Sequence, residues 1–224
     1  MNKEYQREEL SDQERIRIEV MQDDFCSIFD ELKKPEAIKL FEKIVEEYQA
    51  EGRAYHNLEH IENLLAFLKE CEADIKELNG IKLAAWFHDV IHDTRMRDND
   101  NKSALFAKNY LEQIGVPNKV VEYVVALIQA TAGHRVIEDN PDSAIFMDGD
   151  LAILGSSEEI YDQYAASIRE EYKWVIPDEE YKAGRKKVLE GFLKRQRIYV
   201  TERANEELEQ QARKNMEREI ASLS

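Results

Sequence analysis

The chain has 224 residues, 47 acidic and 31 basic, for a net charge of −16. That length suits one domain whose core stands without staples, and the acidic field repels polyanions, which argues against binding to nucleic acid polymers or anionic membranes. Cys26 and Cys71 offer neither zinc spacing nor a disulfide framework, no stretch nears the roughly 18 apolar residues of a membrane span, and the start lacks a signal-peptide apolar region, so a cytoplasmic protein is expected.

Only 8 Gly and 4 Pro, with no run of strand-like alternation, predict an all-α fold. Residues 1–10 are expected to be flexible and 11–224 to form a single helical domain. Ser11 and Glu14 read as a capping box for a helix burying Ile18, Met21, Phe25 and Phe29. Pro35 starts a second helix that keeps its period through Ile38, Phe41, Ile44, Val45 and Tyr48 until Gly52. The block Arg53 to His60 leads into a third, bearing Ile61, Leu64, Leu65 and Leu68. A fourth, from about Ile81, carries Trp86-Phe87-His88-Asp89-Val90-Ile91-His92-Asp93. Helices around Leu105 to Leu111 and from Asn118 to Ala132 follow, then an apolar segment interrupted by Asp148 and Asp150. Ser156 with Glu159 reads as a second capping box, and the last helices are expected over Glu158 to Lys173, Asp178 to Arg195 and Thr201 to Ala221.

Two imidazoles and two carboxylates inside the apolar run 83–93 are costly to bury unless paired or bound to a metal. If that run is helical, His88 and His92 share one face, as do Asp89 and Asp93; His56 and His60 should likewise share a face of the helix they introduce. Four of the five histidines thus lie between positions 56 and 92 in two pairs spaced by four. A single such histidine reads as an ordinary core residue; the cluster reads as a site. A set of His60, His88, Asp89 and either Asp148 or Asp150 is nitrogen and oxygen without thiolate, which suits an open Mn, Fe, Co, Ni or Mg centre. Water acidified there can attack esters or anhydrides. The Asp148-Gly149-Asp150 block reads equally well as a turn with a helix cap.

His60, the His88-Asp89 pair and a later Asp resemble the H…HD…D signature of the HD superfamily of metal-dependent phosphohydrolases. The blocks 55–60, 86–89, 148–155 and 168–172 are similar to a bacterial family described only as predicted HD-superfamily phosphohydrolases, over about Phe41 to the C-terminus. The resemblance implies a helical bundle with the metal site in a central crevice, one or two divalent ions, and a small phosphorylated substrate such as a nucleotide. It implies Asp150 as the last ligand and Asp148 as a group behind it. The His-Asn-x-x-His block is similar to that of cyclic-nucleotide phosphodiesterases, which implies His60 as ligand and His56 as general acid, although no nucleotide clamp is visible.

His92 and His134 could hold a second metal, or His134 could simply hydrogen-bond its own helix end. Asp93 could assist proton transfer, or be a polar helix terminus. Arg169, Tyr172 and Arg185 could face the substrate phosphate, against the alternative that such arginines sit in solvated ion pairs. The rival readings are a di-iron oxygenase and a nucleotide-binding sensor without turnover. Association into homo-oligomers is left open.

Overall fold

Ser11 opens the first helix as its sequence demands: its hydroxyl accepts from the Glu14 amide while the Glu14 carboxylate takes the Ser11 amide. The computed structural model describes residues 11–223, so the expectation for 1–10 falls outside the described residues. Among the described residues there are ten α-helices and no strand: α1 (Asp12–Cys26), α2 (Lys34–Tyr48), α3 (Leu58–Glu70), α4 (Leu78–Phe87), α5 (Asn99–Ile114), α6 (Asn118–Thr131), α7 (Pro141–Asp150), α8 (Glu158–Tyr172), α9 (Asp178–Leu193) and α10 (Glu202–Ser222). None is long and apolar enough to cross a membrane.

The apolar side chains form two buried clusters. The first gathers α1 to α7 around Trp86, whose ring lies 5.5 Å from those of both Phe25 and Phe41. The second joins Leu151 and Leu154 to Tyr161, Leu189, Tyr199, Ala204 and Met216. Phe67 packs against both. Helix α7 contributes Ile145, Phe146 and Met147 to the first cluster and runs directly into Leu151 of the second, so Asp150 falls at their junction.

Two glycines set the approach of these parts. A Cβ on Gly149 would lie 2.7 Å from Leu64 Cδ1 and 2.8 Å from Phe67 Cδ1, so the bare backbone lets α7 press onto α3. A Cβ on Gly155 would meet the Leu208 carbonyl at 2.9 Å, so α10 lies directly on the 3-10 turn Ala152–Gly155.

Several boundaries differ from expectation. Helix α4 ends at Phe87, so 88–93 is a turn and His88 and His92 share no helical face. Helix α3 starts at Leu58 with Asn57 as its cap, leaving His56 outside it. Asp148-Gly149-Asp150 is helical, not a turn. The cap of α8 is Ser157, one residue beyond Ser156. Ile38 and Leu105, read as helix-periodic apolar residues, are exposed.

Candidate metal centre

The two motif segments are loops tied together by one side chain. Arg53 donates from Nη1 to the carbonyls of His56 (3.0 Å) and Asp89 (2.7 Å) and from Nη2 to that of Val90 (2.7 Å). Its guanidinium also lies over the Tyr48 ring, whose hydroxyl donates to the Trp86 carbonyl. Beyond the turn, the Ser103 hydroxyl and the Asn99 amide on α5 satisfy the backbone of Ile91 and Asp93. Backbone left polar by the end of α4 is thus paired, and His88, Asp89 and His92 are fixed on it.

Four acceptor atoms converge between α3, α4 and α7. Asp89 Oδ2 lies 3.0 Å from His88 Nε2 and 3.6 Å from His60 Nε2. Asp150 Oδ1 lies 3.4 Å and 3.3 Å from the same two nitrogens, which are 3.0 Å from each other. His60 is 5% and His88 1% exposed, so water cannot solvate the group freely. His88 Nδ1 stands 2.9 Å from the Ala85 carbonyl, which can only accept. The proton of the neutral ring is therefore on Nδ1, and Nε2 presents a lone pair to two carboxylates and a second imidazole.

Such a set could hold a cation. Burial opposes charge on His88, and Asp89 and Asp150 override it, lifting its pKa well above the ordinary value. At His60 burial prevails and the pKa falls. Burial also works against the two carboxylates, yet the surrounding imidazoles hold both Asp89 and Asp150 below the usual range. His60, His88 and Asp150 bring one ligand atom each within 4.8 Å of one another, with Asp89 Oδ2 beside both imidazoles, and such nitrogen and oxygen donors are of the kind a divalent cation takes. The residues present fit such an ion.

His134, with a left-handed backbone at φ 46°, brings Nε2 to 3.1 Å from Asp150 Oδ2. It therefore orients a carboxylate whose other oxygen faces the cluster, and does not hydrogen-bond its own helix end through the ring.

A second group of possible donors, His56, His92 and Glu171, lies beside the first. Glu171 was not singled out by the sequence, although a Glu three and ten positions after Ile168 and Tyr161, both buried, stands on the inward face of α8. Its side chain is fully buried. Oε1 accepts the backbone amides of Tyr55 (2.8 Å) and His56 (2.9 Å), while Oε2 takes His56 Nδ1 at 2.7 Å. The His92 ring stacks on His56 with centroids 4.1 Å apart. Its Nε2 is 3.3 Å from Glu171 Oε2 but off the hydrogen-bonding direction, so it counts as buried and unpaired. Despite burial, Asp89 and Glu171 raise the His56 pKa, and His56 with His92 depresses that of Glu171. The free edge of His56 faces the first group, its Nε2 4.0 Å from Asp89 Oδ2.

Both groups open into a cavity of about 550 Å³. Tyr172 and Arg185 line it, as expected for residues facing a substrate; Arg169 and Asp93 do not. Arg185 is already committed, bidentate to Glu219 and bonded to the Tyr164 hydroxyl. Arg169 is held by Asp178 and lies over Tyr181. Asp93, expected to move protons, grips Arg95 through both oxygens, which lowers its pKa to about 2. Asp148, expected behind the metal ligand, spends both oxygens on the Val200 and Thr201 amides at 2.8 and 2.7 Å and so anchors the start of α10. Arg97, unremarked in the sequence, also lines the cavity and has no ion-pair partner among the described residues.

No protein-family model, curated protein or solved structure matches the chain.

Proposed function

We propose that this chain is a metal-dependent phosphohydrolase of the HD type, built as an all-α bundle and acting on a phosphate ester or anhydride of a small molecule. The observation that carries the reading is the convergence of His60 Nε2, His88 Nε2, Asp89 Oδ2 and Asp150 Oδ1, two buried imidazoles and two half-buried carboxylates, on the lining of one cavity. A divalent ion held by those four residues supplies Lewis-acid polarisation of a phosphoryl oxygen and a nucleophilic water at neutral pH.

The remaining work falls to this chain's own side chains. Glu171 fixes the ring of His56 through Nδ1, which leaves Nε2 as the edge available to a bound molecule. Burial opposes a proton on that edge, but Asp89 and Glu171 raise the His56 pKa, which favours it as the general acid that donates to the departing oxygen. His92, stacked on His56, closes the other side of the ring and keeps bulk water from it. Arg97, a cation on the cavity with no carboxylate partner among the described residues, pairs with the substrate's phosphate charge.

The test is elemental analysis of protein purified without chelator or affinity nickel, together with phosphate release from a panel of phosphoesters and anhydrides with Mn, Mg, Co and Fe. About one or two equivalents of metal and metal-dependent release are expected. Protein that retains none of these metals after dialysis against each would overturn the assignment.

A further inference from the structure

The cavity lining is mixed. Besides the histidines and aspartates it includes Ile168 and Tyr172 of α8, Ile176 of the link, and Gly184, Val188 and Phe192 of α9. The last three recur every four residues and so lie along one stripe of α9. Arg185, the cation of this wall, is already neutralised by Glu219. Val188 is 51% exposed although it lines the cavity, an apolar surface left open by the described residues.

Gly184 is the informative residue. Glycine inside a helix weakens it; α9 carries two, Gly184 and Gly191, and of these only Gly184 lines the cavity. Backbone conformation is not the reason, because its φ is not positive. Packing is not the reason either, since a Cβ there would meet nothing within 4 Å. What the missing side chain leaves is open space on the lining of the cavity.

We infer that the non-phosphate part of the substrate is a broad apolar or aryl body, laid against the α8–α9 wall over Gly184, with the phosphate toward His60, His88, Asp89 and Asp150. The inference rests on the phosphohydrolase reading for the phosphate and on the wall alone for the body. A polyhydroxylated body would strip water from hydroxyls that Ile168, Ile176, Val188 and Phe192 cannot pair with.

The experiment uses O-alkyl phosphates of matched leaving-group acidity: ethyl, butyl, 2-phenylethyl and 2-(1-naphthyl)ethyl, with glycerol 1-phosphate as the polar control. It adds calorimetric binding of 2-(1-naphthyl)ethylphosphonate, which cannot be hydrolysed. For the wild type, kcat/KM should rise about tenfold or more from glycerol phosphate to the naphthyl ester. Gly184→Phe should lower the naphthyl-to-ethyl ratio about tenfold, chiefly through KM, and weaken phosphonate binding similarly. Gly191→Leu serves as control, because Gly191 has equally open space in the same helix but does not line the cavity, and its profile should match the wild type. Circular dichroism confirms that both variants keep their helices. Turnover that is flat across the series, or a Gly184→Phe variant with an unaltered ratio, overturns the inference and leaves the hydrolase standing. Phosphonate binding that depends on Gly184 with no ester hydrolysed under any metal supports the apolar wall and overturns the hydrolase. No binding and no turnover overturns both.

Discussion

The two histidine groups share a cavity and a residue vocabulary, yet their hydrogen bonds balance in opposite ways. Around Asp89 and Asp150, two carboxylates crowd the Nε2 atoms of His60 and His88, and a neutral His88 has its one proton on the side of the Ala85 carbonyl. Around Glu171, the carboxylate already accepts two backbone amides and the His56 ring. The first group could be completed by a cation. The second is complete in itself, apart from the one unpaired nitrogen of His92. Proximity of donors alone would call both groups metal sites; counting protons separates a binding site from a positioning device.

The sharpest way to break that distinction is to truncate one ligand of the first group. Asp89→Ala removes the oxygen that lies near both histidines, so metal affinity should fall by more than about 100-fold and activity with it. The helices should persist, because the Asp89 carbonyl bonded to Arg53 is backbone and remains. Wild-type metal content in Asp89→Ala would show that the converging acceptors hold something else.

The second group should answer differently. Glu171→Gln keeps its shape but loses the charge that fixes and charges His56, so turnover should drop by about 10²-fold or more while the metal stays. A loss of metal equal to that of Asp89→Ala would make Glu171 a ligand and erase the contrast. The same variant carries a pH signature in metal-free protein. Because the folded-state pKa of Glu171 is depressed, its ionisation stabilises the fold above the ordinary glutamate value of about 4.3, and that stabilisation is lost as pH falls through the folded value. Chemical denaturation should thus show the wild type ahead of Glu171→Gln near pH 6, with the gap narrowing below about pH 4.

Asp148 tests the neighbour that sequence alone would have placed at the site. Its oxygens cap two successive amides before α10, and Glu209 takes the two preceding ones, at Ile198 and Tyr199. Asp148→Ala strands two N–H groups next to a buried tyrosine and should cost about 1–3 kcal/mol, read as a lower denaturation midpoint, without loss of metal. Metal loss at unchanged stability would return Asp148 to the binding site.

How much of this was legible depended on the range of the interaction. The helices were, because Ser11, Pro35 and the apolar stripes act within a few residues of themselves, although the second helix stops at Tyr48, short of Gly52. The four converging residues were named, since imidazoles and carboxylates in an apolar run carry a visible desolvation cost. The partition of the histidines was not. The end of α4 at Phe87 depends on Arg53, 36 positions from Asp89, capturing carbonyls that a longer helix would have used itself. Glu171 was hidden by its context: beside Glu170 and Arg169 it reads as part of a solvated face, and only the fold shows that it is the carboxylate turned inward. Asp148 and Asp150 looked interchangeable, and helix α7 separates them by turning one toward α10 and the other toward α3.

The smallest effects distinguish the arginines. Arg97→Ala should raise KM for phosphorylated substrates severalfold and leave stability near wild type, because it is exposed and holds no carboxylate among the described residues. Arg169→Ala should leave KM unchanged, since Arg169 does not line the cavity. Its stability cost should also stay within about 1 kcal/mol. The pair with Asp178 is partly solvated, so its loss is screened, and the stacking on Tyr181 adds only a modest attraction. Against these stands one gain: Arg169 Nη1 is buried with no hydrogen-bond partner, and truncation removes that unsatisfied donor. A raised KM in Arg169→Ala with Arg97→Ala silent would mean that the phosphate enters from the α8–α9 end, and the apolar wall would then have to face the other way.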